Sequence, residues 1–264
     1  MNETAIRQYL NRLNVQTMIQ FHILDSIDST NRYLKSLTSS NITEVCCAET
    51  QTQGRGRFGR VWQSLPGENI YCSIRKPFHG DLKQLSGLSL VVSMIIVAAL
   101  NAIGIDQAIQ IKWPNDLLWN NQKLCGNLIE IVSQNQQEHA LIIGIGINVN
   151  ANTQESAWCS LSDITGKTCD RNRLVAELIA QLEKHLELFL THGLKPFFST
   201  WNTLDYLINQ PIRLNHHKNE LTGIARGIDE TGRLMLMDKR GVMHYLSSGD
   251  TSLAIIPDDT FQRI

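Results

Sequence analysis

The chain of 264 residues has no surplus of charge of either sign: 24 lysines and arginines stand against 25 aspartates and glutamates, a formal net charge of −1. Duplex recognition needs a basic excess on one face, so the balance argues against nucleic acid as the main partner. No apolar run reaches the ~20 residues that span a bilayer, so no membrane partner is expected. The most apolar stretch, residues 87–100, reads as a buried helix. The opening MNETAIRQYL lacks the charged start and apolar core of a signal peptide, which leads us to expect a cytoplasmic protein. The six cysteines contain no CxxC pair and no zinc spacing, so they read as reduced, mostly buried side chains. Also missing are a Walker loop, a GxGxxG opening a helix, HExxH, Gly-x-Ser-x-Gly and any paired-carboxylate signature. Cys125 beside Gly126 is better read as a packing residue than as a nucleophile, and His216-His217 as a solvated turn.

Hydrophobic residues make up 42% of the chain and charged ones 19%, enough for a large core. Ile6, Leu10 and Leu13 recur at helical spacing in an N-terminal arm over residues 1–20. A short strand over 21–24 leads into Asp28-Ser29-Thr30-Asn31, a run of helix-capping residues. Strands are expected at 45–48 and 70–74, then one long helix from 82 to 103 closed by Gly104. Residues 109–116 read as a strand ending in a proline-fixed turn. Residues 117–119 and 124–132 pair across Asn120-Asn121-Gln122. LIIGIGINV, 141–149, is a buried strand whose Gly144 and Gly146 mark a close approach. Residues 151–168 read as a surface loop, and 172–190 and 195–206 as helices. From Pro211 onward five short strands recur, which suggests a small β-barrel.

Five segments could carry chemistry. In residues 54–60, GRGRFGR, glycines alternate with arginines. Such a run is either a solvated basic turn or a mobile loop closing on an anion, because glycine frees the backbone and arginine matches carboxylate or phosphate oxygens. The others are Ser29-Thr30, the turn from Lys112 to Asp116, Lys123 on its hairpin, and the strand end at Asn148. Trp113 and Trp119 read as core.

Taken together, DSTN (28–31), ETQTQGRGRFGR (49–60), KWPND (112–116), KLCGNLIE (123–130) and GIGINV (144–149) resemble the signature blocks of biotin protein ligases, in that family's order. The resemblance runs from about residue 21 to 255. Without a DNA-binding segment before residue 21, it resembles the monofunctional type. It implies an α/β (α+β) fold: a mixed-sheet catalytic domain over 1–209 and an SH3-like barrel over 210–264.

The activity implied has two steps. ATP adenylates biotin to biotinyl-5′-AMP, and a lysine of a biotin carboxyl carrier protein then takes the biotin. Ser29, Thr30, Asn31, Gln51, Arg55, Gly56, Arg57, Lys123 and Gly126 would hold biotin. Trp62, Asn115, Gly144, Gly146 and Asn148 would hold ATP and the adenylate, with Asn148 on the adenine. Lys123, Arg57, Lys112 and Asp116 would act in catalysis. Mg²⁺ would arrive on ATP near Asp116 rather than in a protein-only site. Exposed sheet edges would permit a homodimer. Lipoate ligases share the fold and the two-step logic, but the Arg/Gly loop and the KWPND turn favour biotin. A biotin-sensing regulator is the non-enzyme alternative. Two departures stand out: Ala254 follows Leu253 where the family often has Arg, and Cys125 stands where Ala is common.

Overall fold

The computed structural model describes residues 1–38, 41–133, 138–152, 157–216, 219–247 and 253–255. The expected turn at His217 and the Gly249–Ser252 run lie outside these residues. Helix α1 (Glu3–Arg12) is capped by Asn2 and buries Ile6 and Leu10, whereas Leu13 falls just past its end. Strand β1 (Ile19–Ile27) is longer than expected because it pairs in parallel with β2 (Thr43–Gln51) along most of its length. Between them, α2 (Thr30–Ser36) starts at Ser29, whose hydroxyl caps the Arg32 N–H. Strand β3 (Ile70–His79) follows the Arg/Gly loop.

The single helix expected over 82–103 is two pieces. A 3₁₀ turn (Leu82–Leu85) precedes α3 (Leu88–Ala102), with Gly87 at φ +83° between them. A Cβ on Gly87 would lie 2.4 Å from Leu194 Cδ1, so the break permits a close approach as well as a turn. Gly104, at φ +89°, ends α3 as its position suggests. Strands β4 (Gln110–Lys112), β5 (Asp116–Trp119) and β6 (Gln122–Ser133) follow. The β5–β6 turn is Asn120-Asn121 alone, both at positive φ, and Gln122 already pairs with Trp119. Strand β7 (Glu138–Ile147) leads to a short helix α4 (Leu161–Thr165), inside a stretch expected to be irregular. Reciprocal capping between Ser160 and Asp163 explains it. Helix α5 (Arg171–His192) is followed by a 3₁₀ turn and α6 (Phe198–Leu204), where one helix was expected.

Seven strands form one mixed sheet in the order β1-β2-β3-β7-β6-β5-β4, in which only β1 and β2 run parallel. Helices α3 and α5 pack together, and with α1 they belong to the main hydrophobic core beside the sheet. Helix α2 lies against β2, β3 and β7, and its Leu34 buries with Cys46 and Ile142.

A second, antiparallel sheet holds β8 (Pro211–His216), β9 (Asn219–Ile228), β10 (Leu234–Met237), β11 (Met243–Leu246) and β12 (Leu253–Ile255), in the order β11-β10-β9-β8-β12. This is the expected SH3-like unit. Its Ile212, Leu214, Ala225, Leu234 and Leu236 join the main core. Trp113 Nε1 donates to Gly232 O at 3.0 Å and Ser86 Oγ to Thr231 O at 2.7 Å, tying its β9–β10 turn to the β4–β5 turn and to the chain just before α3. Among the described residues, no helix is long and apolar enough to cross a membrane. All six cysteines are free thiols, five of them buried.

Candidate active site

Strand alternation builds the floor of a cleft of about 210 Å³. Opposite one another across β3, β7 and β6 stand Tyr71, Gly146 and Gly126, and one step further Ser73, Gly144 and Leu128. Residues two apart share a face, so all six point to the side on which α2 lies. The two β7 glycines are hollows in that floor. A Cβ on Gly144 would be 2.3 Å from Asn31 Oδ1, and one on Gly146 would be 2.7 Å from two ring carbons of Trp62. Asn31 and Trp62 therefore lie where ordinary side chains would stand.

At one end of the cleft the lining side chains of Thr30, Asn31 and Gln51 are neutral and hydrogen-bonded, backed by the paired charges of Glu130, Lys35 and Arg55. Thr30 N–H donates to Gln51 Oε1 at 2.9 Å, and Ser73 Oγ lies within 2.7 Å of Thr30 Oγ1 and 2.6 Å of Asn31 Oδ1. Asn31 Nδ2 donates to Leu128 O and Glu130 Oε2. Glu130 also accepts from Lys35 Nζ at 2.8 Å and Arg55 Nη2 at 3.4 Å. Burial pushes the Glu130 carboxyl up, but the hydrogen bonds from Lys35 and Asn31 and the Arg55 charge outweigh this and hold it below its ordinary pKa.

The other end is cationic. Among the described lining residues Arg57, Arg60, Lys112 and Lys123 gather here around one carboxylate, Asp116. Lys123 Nζ is 2.7 Å from Asp116 Oδ1 and 5.3 Å from the centre of the Trp62 ring. Burial lowers the Lys112 pKa, with Asp116 opposing and Lys123 and Arg60 adding to the fall. Arg57 Nη1 reaches Asn115 Oδ1 at 3.4 Å, and its guanidinium lies over the Phe58 ring. Such a concentration of positive charge favours a polyanion. Trp62 Nε1 and Arg55 Nε are buried without a partner among the described atoms, donors that a ligand oxygen could satisfy.

The turn from Lys112 to Asp116 is held from behind. Asn115 Nδ2 donates to Asn127 O at 2.7 Å, and Asn127 bonds in turn to Ser89 and Ser93 of α3. Lys123 is anchored through its backbone: its N–H reaches Ala157 O, and its own carbonyl accepts from Cys159 N.

Every expected site residue lines the cleft except Asn148. Asn148 is buried beneath Lys123, where Nδ2 donates to Lys123 O at 3.3 Å and to Cys159 O at 3.1 Å. The sequence reading missed Ser73, Glu130, Asn127 and Tyr71. Their signal is positional: the strand register puts Tyr71 and Ser73 opposite Gly146 and Gly144, Asn127 lies behind the proline turn, and Glu130 emerges only through its bond from Asn31.

A model of the biotin/lipoate A/B protein ligase family matches residues 23–148, and one of the biotin protein ligase C-terminal domain matches 207–253. The bifunctional ligase/repressor BirA of Escherichia coli is 38% identical over 237 residues, which are 88% of this chain and 73% of BirA. This chain belongs to the biotin protein ligase family. A biotin–[acetyl-CoA-carboxylase] ligase of Paracoccus denitrificans is 30% identical, over 83% of this chain and 95% of its own length. Among solved structures, the biotin protein ligase of Aquifex aeolicus in complex with biotin and ATP superposes with a TM-score of 0.77 at 29% identity, covering 90% of this chain and 99% of that one. The family sequence blocks and the cleft coincide in this fold.

Proposed function

We propose that this ligase joins biotin to a lysine of a carboxylase's biotin carboxyl carrier protein through biotinyl-5′-AMP. One observation carries the reading: a neutral, hydrogen-bonded pocket opens directly into a cationic one within a single cleft. A small polar head group and a polyanion can therefore lie end to end. Attack of a carboxylate on an α-phosphate brings two anions together, and fixed cations must offset their repulsion.

Thr30, Asn31, Gln51 and the backbone around Gly56 bind the biotin head, with Ser29 fixing the start of α2. Lys123 and Arg57 bind the carboxylate and the α-phosphate as charge builds between them. Lys112 and Arg60 take the remaining phosphate charge. Trp62, set into the hollow of Gly146, offers a flat face to the adenine. For Asn148 to meet the base, Oδ1 is the atom to use, because Nδ2 is engaged with Lys123 O and Cys159 O. The second step needs the carrier lysine to reach the acyl carbon as a neutral amine while AMP leaves. The loop over residues 54–60 shields the adenylate from water until then.

Among the described residues no three His, Cys, Asp or Glu side chains gather as a metal site. A single carboxylate, Asp116, fits a Mg²⁺ that arrives on the nucleotide and is held mostly by phosphate and water. When bound, that ion would neutralise phosphate charge. The domain boundary falls near residue 209, just before β8.

The test supplies the protein with ATP labelled in the α-phosphate and either biotin or lipoate, followed by an apo carrier domain. Biotinyl-AMP, pyrophosphate and a biotinylated lysine are expected. Lipoyl transfer without biotinyl transfer would overturn the reading.

A further inference from the structure

Helix α3 is apolar on nearly every face, yet Ser89 and Ser93 lie one turn apart on it and meet Asn127 of β6. Ser93 is fully buried and Asn127 is 3% exposed, so the polar atoms there need partners. All have them. Asn127 Nδ2 donates to Ser93 Oγ at 2.9 Å and to Ser89 O at 3.2 Å, and Ser93 Oγ donates to Ser89 O at 3.0 Å. Ser89 Oγ has two acceptors in reach, Asn127 Oδ1 at 2.9 Å and Pro114 O at 3.1 Å. Only one orientation of the Asn127 amide permits this, because reversing it would set its oxygen against the Ser89 carbonyl.

The main chain of the same residue grips Asn115. Its N–H donates to Asn115 O at 3.2 Å, and its carbonyl accepts from Asn115 Nδ2 at 2.7 Å. Asn115 Oδ1 in turn accepts from Arg57 Nη1, and the next residue, Asp116, is the partner of Lys123. Asn127 thus joins α3 to the cationic end of the cleft, its side chain on the helix and its peptide groups on the turn.

Stability does not call for the amide. Leucine has nearly the same shape. With leucine at 127 the Ser89 hydroxyl would keep Pro114 O and the Ser93 hydroxyl would keep Ser89 O, so no buried donor would be stranded. What the amide adds is direction: its hydrogen bonds fix β6 against α3, which apolar contact, being non-directional, leaves loose.

We propose that Asn127 is a positioning residue for adenylation: its amide keys β6 to α3, and so holds Asn115 and the turn from Lys112 to Asp116 where the triphosphate must lie. This rests on the biotin-ligase reading and adds to it a residue that acts through Asn115 rather than on a substrate. The biotin end stands apart, because Thr30 and Asn31 are held by Gln51, Ser73, Leu128 and Glu130.

The experiment compares wild type with Asn127→Leu in two measurements. One is the initial rate of pyrophosphate release over a range of ATP, with apo carrier domain present; the other is calorimetric titration with biotin alone. Asn127→Leu should melt within a few degrees of wild type and bind biotin within about threefold of it. Its kcat/KM for ATP should fall about tenfold or more, the cost of misplacing a group that positions substrate. Ser93→Ala, which removes an acceptor of the amide without touching the turn, should lower kcat/KM for ATP about threefold. Added to Asn127→Leu it should have no further effect, because the contact it breaks is already gone. Ser93→Ala also keeps the test open if Asn127→Leu does not fold. Wild-type kcat/KM for ATP in whichever variant folds, or a fall matched by an equal loss of biotin affinity, would overturn the role of Asn127. Wild-type protein that forms no biotinyl-AMP would instead overturn the ligase reading itself.

Discussion

Lys123 Nζ and Asp116 Oδ1 form an ion pair 2.7 Å long across the β5–β6 hairpin, at the cationic end of the cleft. The pair is about one-third exposed on each side, so its contribution to stability is small, about 1 kcal/mol at most. Its arrangement suits chemistry better than folding, because an arriving phosphate or carboxylate competes with Asp116 for the ammonium. Lys123→Ala should melt within a few degrees of wild type. Formation of biotinyl-AMP should nevertheless fall by about 10²- to 10³-fold, the usual loss on removing a group that stabilises developing charge. Single-turnover assays of pyrophosphate release check this, and near-normal adenylation would remove Lys123 from the reaction.

Gly144→Ala places a methyl group 2.3 Å from Asn31 Oδ1, a distance no relaxed structure tolerates. Asn31 cannot yield without abandoning Leu128 O, Glu130 and Ser73. The substitution should cost about 1–3 kcal/mol of stability, as overpacking does, and should abolish biotin binding. Thermal melts with and without biotin measure both effects. A biotin-induced shift as large as the wild-type one would show that Asn31 does not shape the pocket.

Two of the side-chain contacts that reach out from the Arg/Gly loop are long, Arg55 to Glu130 and Arg57 to Asn115, both at 3.4 Å, while Gly56 N–H to Arg60 O and Trp62 N–H to Gly54 O close the loop on itself. Phe58 at its crest is exposed and sits at φ +56°, a conformation unfavourable for a bulky side chain. Long side-chain tethers and an exposed crest favour local opening. Protease cleavage within residues 54–60 should be rapid in the free protein and suppressed at least tenfold by biotin with ATP. Equal rates in the two states would reduce the loop to an ordinary basic turn.

Glu130 supplies a pH dependence whose sign follows from its lowered pKa. A carboxyl more acidic in the folded than in the unfolded state stabilises fully above the ordinary carboxylate range, and that stabilisation disappears as pH falls through the folded value. Glu130→Gln should therefore be less stable than wild type by roughly 1 kcal/mol at pH 7. The gap should close as the pH falls below the ordinary carboxylate range and through the lower folded value. Melting curves from neutral to acidic pH decide the matter: a constant gap would mean that Glu130 acts by packing rather than by charge.

Much of the site was legible because its residues are unusual in themselves. Glycines within an apolar strand, arginines among glycines and a lysine before a tryptophan-proline pair each break the pattern around them. Ser73 and Glu130 break none. A serine or glutamate on a strand is ordinary until β3, β7 and β6 are aligned, and that alignment depends on partners far apart in the chain. The error over residues 82–103 has a similar origin. Apolar residues on both sides of Gly87 look like one helix, and only Leu194, more than a hundred positions away, shows why the chain must turn there. The longer β1 likewise reflects pairing to β2, which local composition does not reveal.

The bond from Trp113 Nε1 to Gly232 O bears on how damage to the small sheet would be felt. Trp113 immediately follows Lys112 and precedes the proline and asparagine that set Asp116, so the C-terminal unit serves as a strut beneath the phosphate-facing turn. Gly232 is wedged against Gly87, Leu90 and Leu194, where even one added methyl group would push the strut away. Lesions around residues 229–233, remote in sequence from every site residue, should thus behave as faults in nucleotide handling rather than as faults in a detachable accessory.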